Sequence, residues 1–340
     1  MNVLVTGGAG YIGGVVAAEL LRAGHKVVVY DNLSHGFRNA VPGQAELVVG
    51  DVADFDRLTS VFAAHRIEAV MHFAALIEAG ESMKVPERYF RNNTASTLTL
   101  LEAMLHAGVG KLVFSSTAAL YGEPEHIPIR EDDPLRPTNA YGESKLLVER
   151  MLQWFHRIHG FRYASLRYFN AAGAAGVRGE AHHPESHLIP LILQVALGRR
   201  ESISIYGTDY PTHDGTCVRD YIHVVDLAQA HVLALEGLGD RGQLIYNLGN
   251  GRGFTVREVI DVARRVTGHP IPAIEAPRRP GDPAVLVASS EKIQRELKWK
   301  PQYAELETII STAWEWHQKY PQGYPQDIHA EPDRTSAPAL

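Results

Sequence analysis

Short runs of apolar residues alternate with longer amphipathic segments along the first half of the chain. The apolar runs are continuous and rich in β-branched residues, which is typical of parallel strands that helices cover on both faces. The pattern predicts strands at Asn2–Thr6, Lys26–Tyr30, Glu46–Val49, Ala69–Phe73, Lys111–Ser115 and Tyr163–Tyr168. It predicts helices at Ile12–Ala23, Phe55–His65, Pro86–Ala107 and Tyr141–His159. This repetition indicates an α/β fold built on a doubly wound parallel sheet.

The pattern changes after Asn170, where a segment rich in glycine, alanine and histidine predicts a long functional loop over Ala171–His187. Later segments predict helices at Leu188–Leu197 and Val225–Leu238, strands at Ser202–Tyr206 and Leu244–Leu248, a loop at Gly207–Thr216, and a helix opened by the capping box Thr255–Glu258. We expect a Rossmann-like domain over 1–180 that also takes back part of 220–250. A smaller, interleaved C-terminal α/β substrate domain is expected over 181–330, followed by a disordered tail at 331–340.

Composition excludes several classes of protein. Of the 340 residues, 45% are hydrophobic and 21% charged, which argues against disorder. Acidic residues outnumber basic ones, 39 to 33, so the net charge is −6 and a nucleic-acid partner is not expected. The single cysteine excludes an intrachain disulfide, and no apolar run is long enough for a signal peptide or membrane span. We therefore expect a soluble cytoplasmic protein with no membrane partner.

A glycine-rich turn joins the first predicted strand to the first helix. Gly7, Gly10 and Gly13 are spaced three residues apart, as in turns that bring a dinucleotide pyrophosphate to a helix N-terminus. Asp31 ends the second strand, where a carboxylate can bind both hydroxyls of the adenosine ribose and would repel a 2′-phosphate. A strand before the turn and a helix after it complete the pattern, which favours NAD over NADP as the cofactor.

Residues after the third and fourth strands extend the same crevice. Asp51 and Phe73-Ala74-Ala75 follow these strands, and the carboxyl ends of parallel strands meet at one edge of the sheet. Taken singly, Asp51 could equally be a turn former, and Phe73 could equally be a core aromatic residue, rather than a cofactor contact. Their position in the strand order is what favours a cofactor contact.

Tyr141 and Lys145 lie four residues apart at the start of a predicted helix and therefore share one face. A phenol has a pKa of about 10, so a base that works near neutrality needs this value lowered to about 7, at a cost of about 4 kcal/mol. An ammonium group about 4 Å away supplies a similar energy at an effective dielectric constant of 20. Hydroxyls of Ser115-Ser116-Thr117 follow the fifth strand, where one can share a substrate proton with Tyr141. The pattern favours catalysis over an exposed helix pair.

Together these features resemble the extended short-chain dehydrogenase/reductase family, and the likeness runs along nearly the whole chain. Further motifs resemble the UDP-sugar 4-epimerases of that family. These motifs are His72–Ala75 with Gly80–Ser82, Asn92-Asn93, Arg167–Asn170, Gly207–Thr212, Val218–His223 and Arg278–Asp282. Two segments are specific to this branch of the family: Val218–His223, and Asp209–Thr212 within the Gly207–Thr212 motif.

The resemblance implies a role for each matching residue. Tyr141 would be the catalytic base and acid, Thr117 its hydroxyl partner, and Lys145 both the modulator of the Tyr141 pKa and a ligand of the nicotinamide ribose. The implied NAD contacts are Gly7, Gly10, Tyr11, Ile12, Gly13, Asp31, Asn32, Asp51, Val52, Phe73, Ala74, Ala75, Asn92, Thr117, Tyr141, Lys145 and Phe169. The implied substrate contacts are Thr117, Tyr141, Asn170, His187, Leu188, Tyr206, Arg219, Arg279, Asp282 and Leu286.

Three positions differ among the proteins that the chain resembles. Ile77 stands where some relatives have a lysine near the cofactor, so that contact is expected to be absent. His187 stands where others have asparagine, and Leu286 where some have a tyrosine beside the sugar. We see no carboxylate–histidine spacing of a metal site around His182, His183 and His187. We therefore expect a solvated loop and no metal.

The resemblance implies interconversion of UDP-galactose and UDP-glucose through transient oxidation at C4, rotation of the 4-keto sugar and return of the hydride. It also implies a homodimer formed by the helices Pro86–Ala107 and Tyr141–His159. Ala118-Ala119 after Thr117 argue against a nucleotide-sugar 4,6-dehydratase, which needs an Asp-Glu pair there. Two alternatives stay open: an epimerase for another UDP-sugar (N-acetylhexosamine, pentose or uronic acid) and a non-catalytic NAD-sensing regulator, a class that typically lacks the Tyr–Lys pair.

Overall fold

The computed structural model of the chain describes residues 1–239, 241–279 and 282–325, so the predicted disordered tail at 331–340 lies outside the described residues. The strands are β1 (Asn2–Thr6), β2 (Lys26–Asp31), β3 (Glu46–Val49), β4 (Ala69–His72), β5 (Lys111–Thr117), β6 (Arg162–Tyr168), β7 (Asn170–Ala172), β8 (Ile203–Tyr206), β9 (Val218–His223), β10 (Gln243–Leu248), β11 (Gly253–Thr255), β12 (Ala273–Ala276) and β13 (Val285–Leu286). The α-helices are α1 (Tyr11–Arg22), α2 (Phe55–His65), α3 (Ala79–Ser82), α4 (Pro86–Tyr89), α5 (Ser96–His106), α6 (Ala140–His159), α7 (Leu188–Ala196), α8 (Val224–Gly237), α9 (Val256–Thr267), α10 (Glu291–Leu297) and α11 (Leu306–Lys319).

Seven parallel strands form the central sheet in the order β3-β2-β1-β4-β5-β6-β10. The first six follow the 3-2-1-4-5-6 order of doubly wound dinucleotide-binding sheets, which confirms the predicted α/β fold. The strand order reverses between β1 and β4. In sheets of this kind, ligands bind at that point, outside the carboxyl ends of the strands.

Both faces of the sheet are buried, which explains the continuous apolar runs. Successive strand residues point to opposite faces. Val3 and Val5 join the core on the side of α1 and α8, whereas Leu4 joins the core on the side of α2, α5 and α6. All three side chains are completely buried. No helix in the described ranges is long and apolar enough to cross a membrane.

A second group of elements is organised around β9, which pairs with β7, β11 and β13. A parallel pair of β8 and β12 and the helices α7, α9 and α11 enclose a separate hydrophobic core. The chain passes back from this group to the central sheet, because β10 pairs in parallel with β6. The domain boundaries given above stay a prediction.

The predicted helix Pro86–Ala107 differs in one respect. In place of one continuous α-helix, the structure has α4 and α5, which a π-helical turn over Phe90–Ala95 joins. Within this turn, the Asn93 amide bonds both backbone groups of Leu76 and the Ser144 hydroxyl on α6. The wider turn thereby faces the first turn of α6, and π-turns of this kind often occur at functional sites.

Candidate active site

The glycine turn brings the backbone of β1 against the end of β4. Gly7 has a positive φ of 69°, and a Cβ there would lie 2.5 Å from the Ala74 nitrogen. A Cβ on Gly13 would lie 2.2 Å from the Gly7 oxygen, so neither position tolerates a side chain. The N-cap of α1 is Gly10, and no side chain of the described residues caps this helix. Its first-turn amides and the positive end of its dipole are therefore available to an anion.

Asp31 is held firmly at the end of β2. One carboxylate oxygen accepts a bond from the Ala9 amide at 3.0 Å, and the other accepts one from the Leu33 amide at 2.8 Å. Burial raises the pKa of Asp31, and these two bonds counteract the increase. The Ala9 bond joins Asp31 to the glycine turn, so the group predicted to bind ribose and the turn predicted to bind pyrophosphate form one unit.

The other predicted cofactor residues surround this unit. Asn32 donates to the Asp51 carboxylate at 2.9 Å, while Phe73 contacts the His231 ring with 5.0 Å between centroids. The Tyr11 hydroxyl is already engaged within the protein, because it donates to the Gly173 oxygen at 2.6 Å. The remaining predicted contacts, all buried or half-buried, are Ile12, Val52, Ala74, Ala75, Asn92 and Phe169.

Tyr141 stands in the first turn of α6. The Asn139 side chain caps this helix by accepting from the Gly142 amide at 2.8 Å, and the Tyr141 amide donates to the Ser82 hydroxyl at 3.1 Å. Burial raises the pKa of the Tyr141 phenol, and a hydrogen bond with Thr117 counteracts the increase. Thr117 thus lies close enough to Tyr141 to affect the pKa of its phenol, and the predicted pairing of the two hydroxyls stays a prediction.

The predicted lowering of the Tyr141 pKa by Lys145 stays a prediction for the site with NAD bound, because in the described chain Lys145 is hydrogen-bonded to a backbone oxygen. The Lys145 Nζ donates to the Ser115 carbonyl oxygen at 2.9 Å and lies 5.0 Å from the centroid of the Phe114 ring. Burial lowers the pKa of Lys145 to about 7. The sequence argument assumed a full ammonium charge, whereas burial weakens that charge and also disfavours the phenolate.

A buried ion pair behind the strand end is a feature that the sequence interpretation missed. Arg167 donates twice to Glu149, at 3.0 and 2.6 Å, and the Ser116 hydroxyl donates to the same carboxylate at 2.6 Å. The signal was present in the sequence, because Glu149 follows Lys145 at the same four-residue spacing that relates Lys145 to Tyr141.

The predicted substrate residues group into two pairs. Arg219 on β9 forms an ion pair with Asp282, and the Arg279 guanidinium lies 4.0 Å from the centroid of the Tyr206 ring. Leu286 is the register partner of Arg219 on the neighbouring strand β13. Two guanidinium groups and a partly exposed tyrosine ring suit a nucleoside diphosphate.

Leu286 connects this region to the residues that follow the end of β5. Its side chain packs in a small cluster with Ala118, which follows Thr117, and with Phe169. Asn170 donates to the Asp220 carbonyl oxygen at 3.1 Å, which ties the end of β6 to β9. Leu188 instead packs against the core of α7, α9 and α11.

The predicted solvated loop is only partly exposed at His182 and His187, and carboxylates contact both rings. His187 lies 2.8 Å from Glu185 and 2.9 Å from Glu180, and His182 lies 3.1 Å from Glu180. Two carboxylate–histidine pairs, each with one intervening residue, were overlooked in the sequence. His187 is therefore engaged by carboxylates of its own loop, whereas His183 is exposed as expected.

These features define an NAD-type dinucleotide enzyme of the doubly wound class. The side-chain-free turn of Gly7 and Gly13, the uncapped start of α1 and the anchored Asp31 fit a dinucleotide with free ribose hydroxyls. The chain belongs to the NAD dependent epimerase/dehydratase family, whose model matches residues 3–249.

Individual relatives agree with this family. A UDP-glucose 4-epimerase of Halalkalibacterium halodurans is 56% identical over 327 residues, which cover 95% of this chain and 98% of that protein. The crystal structure of a UDP-glucose 4-epimerase from Brucella ovis in complex with NAD has 45% identity and a TM-score of 0.90, covering 92% of this chain and 97% of the other. The corresponding structure from Bifidobacterium longum, in complex with NAD⁺ and UDP, has 40% identity and a TM-score of 0.91, covering 95% and 100%.

Proposed function

We propose that the protein interconverts UDP-galactose and UDP-glucose as an NAD-dependent 4-epimerase. The observation that carries this proposal is the placement of the Tyr141 phenol, in the first turn of α6, beside Thr117 at the carboxyl end of β5, in the sheet whose β1 turn fits a dinucleotide. The relatives described above bear the name of the same activity, which supports it further.

Three residues of the site have different roles in the proposed reaction. Tyr141 takes the proton of the sugar 4-hydroxyl while C4 loses a hydride, so the alcohol becomes a 4-ketone. Bound NAD supplies the reversible acceptance of that hydride. Thr117 bonds the same sugar oxygen, and Lys145 supports the ribose side of the site. The 4-keto sugar then rotates and presents its other face, which takes the hydride back, and Tyr141 returns the proton to the C4 oxygen. The net redox change is zero.

Inversion requires a firm hold on UDP and a loose hold on the hexose. We assign the firm hold to Arg219 and Arg279, because a diphosphate that approaches a protein of net charge −6 needs local cations. Asp282 orients Arg219, and Tyr206 supports Arg279 from below its guanidinium plane. Binding energy from the nucleotide then positions a sugar that stays free to rotate.

One experiment tests the proposed activity and its cofactor together. Purified protein incubated with UDP-galactose and no added cofactor is expected to form UDP-glucose, because a cycle that returns its hydride works best when NAD stays bound. Extraction of the denatured protein should then release NAD. Recovery of NADP would contradict the role of Asp31, and NAD without turnover would favour a non-catalytic regulator.

Leu286 suggests that the enzyme also accepts N-acetylated sugars. Its side chain borders both Arg219 and the strand end with Ala118, and it is shorter than a tyrosine. Leu286→Tyr is expected to reduce turnover of UDP-N-acetylglucosamine by about 10–200-fold more than turnover of UDP-galactose, the range for one apolar contact. Initial rates with both substrates measure this, with the volume-conserving Leu286→Met as control. Equal losses, or no wild-type activity on the N-acetylated sugar, would remove Leu286 as the determinant.

We further propose a homodimer formed by α5 and α6. Apolar side chains remain exposed on both helices: Leu98 and Leu105 on α5, and Trp154 and Ile158 on α6. Trp154 and Ile158 are 61% and 67% exposed, and such groups often mark an interface. Light scattering should give twice the 37.5 kDa mass of one chain, and Trp154→Glu with Ile158→Glu should give the single-chain mass. A wild-type protein at 37.5 kDa would contradict the dimer.

We also propose a cytoplasmic location and a role in galactose metabolism. The substrate pair supports the metabolic role, and the single buried cysteine agrees with a reducing compartment. The acidic net charge offers no support for a nucleic-acid partner.

A further inference from the structure

Four side chains between β7 and α7 converge on one point: Glu180, His182, Glu185 and His187. Each offers one ligand atom, and these four atoms lie within 4.8 Å of one another. The His187 Nδ1 is 2.9 Å from a Glu180 oxygen and 2.8 Å from a Glu185 oxygen, and the His182 Nδ1 is 3.1 Å from Glu180. The glutamate side chains are only 6% and 5% exposed, so water solvates these carboxylates poorly.

The cluster brings two carboxylates to one imidazole nitrogen. The His187 Nδ1 carries at most one hydrogen, yet it faces an oxygen of each of two buried carboxylates. The Glu180 carboxylate lies within 3.1 Å of both imidazole rings and is their shared neighbour. The two carboxylates therefore attract positive charge to a point where two neutral imidazole nitrogens can also serve as ligands.

We propose that Glu180, His182, Glu185 and His187 form a binding site for a divalent transition-metal cation, with Zn²⁺ as the best match. Imidazole nitrogen and carboxylate oxygen bind Zn²⁺ at about 2.0–2.2 Å, which places neighbouring ligand atoms of a tetrahedron about 3.3 Å apart. To reach that geometry, the contacts of 2.8–3.1 Å need to widen slightly and the longer separations, of up to 4.8 Å, need to shorten. Mg²⁺ and Ca²⁺ fit less well because they prefer oxygen ligands throughout.

The site would have a structural role. The four ligands span only eight residues, and the last of them, His187, is the N-cap residue of α7 without making a side-chain capping bond. A bound cation would therefore clamp the loop and fix the start of α7 at Leu188. This inference does not depend on the proposed epimerase activity.

The test uses full-length protein without a histidine tag. After treatment with a chelator and dialysis, the protein is titrated with ZnCl₂, and bound metal is measured by elemental analysis. We expect one Zn²⁺ per chain and a melting temperature that rises with Zn²⁺, because a ligand that binds only the folded state stabilises it. His182→Ala and Glu180→Gln should each weaken binding at least 100-fold and abolish the thermal shift. His183→Ala, which removes an exposed neighbouring histidine, should bind like wild type.

Several results would overturn the site. Wild-type protein that takes up no stoichiometric Zn²⁺, Co²⁺ or Ni²⁺ would do so, as would unchanged binding in both His182→Ala and Glu180→Gln. Equal loss of binding in His183→Ala would show that surface histidines hold the metal. Replacement by Co²⁺ gives a second readout, because a four-coordinate site of two imidazoles and two carboxylates should produce visible absorption bands in wild type that His182→Ala lacks.

Discussion

Tyr141→Phe is expected to lower kcat for UDP-galactose by about 10²–10⁴-fold, the range for loss of a positioned proton acceptor. The change removes the hydroxyl beside Thr117 and keeps the ring, so the fold and the NAD content should stay as in wild type. Steady-state kinetics gives kcat, and NAD extraction with thermal melting verifies the intact protein. Activity within a factor of a few of wild type would place the proton acceptor on another residue.

Tyr163→Phe is the matched control for this prediction. Tyr163 lies fully buried in β6, and its hydroxyl has no hydrogen-bond partner among the described residues. Removing that hydroxyl is chemically the same change as at Tyr141, but it takes away no group of the site. The control should keep its kcat, so a loss shared by both variants would indicate disturbed packing rather than catalysis.

The central sheet could be predicted well from the sequence, because the apolar pattern within each strand and helix is enough to locate that element. β1, β3 and α2 begin and end where the apolar pattern indicates, and the capping box at Thr255–Glu258 is present. The strands β7, β9, β11, β12 and β13 were missed: four of them have only two to four residues and show no periodicity, and the six residues of β9 do not form a continuous apolar run. Their pairing depends on partners far along the chain, as when β13 joins β9.

The site could be predicted as far as residue types and strand order determine it. The proximity of Tyr141 to Thr117 follows from one helix turn and one strand end that the topology brings together. The pKa of Tyr141 could not be predicted, because it depends on burial, and burial arises from the whole fold. The same holds for His187, whose engagement by Glu180 and Glu185 requires a folded loop.

Arg167→Met is expected to lower the free energy of unfolding by about 3–5 kcal/mol, the cost of leaving one member of a buried ion pair alone. Arg167 and Glu149 are only 3% and 2% exposed, so little water can solvate the remaining carboxylate. Urea unfolding at saturating NAD measures the change. Arg136→Met is the control, because its ion pair with Glu125 is exposed and should contribute no more than about 1 kcal/mol.

The double variant Arg167→Met with Glu149→Leu should be more stable than either single variant. Apolar side chains of similar volume can replace a buried ion pair at little cost, since no charge then remains without a partner. Full recovery is not expected, because the Ser116 hydroxyl donates to Glu149 and loses its acceptor, at a cost of about 1–3 kcal/mol. A double variant whose loss equals the sum of the two single losses would show that Arg167 and Glu149 stabilise the strand end independently of each other.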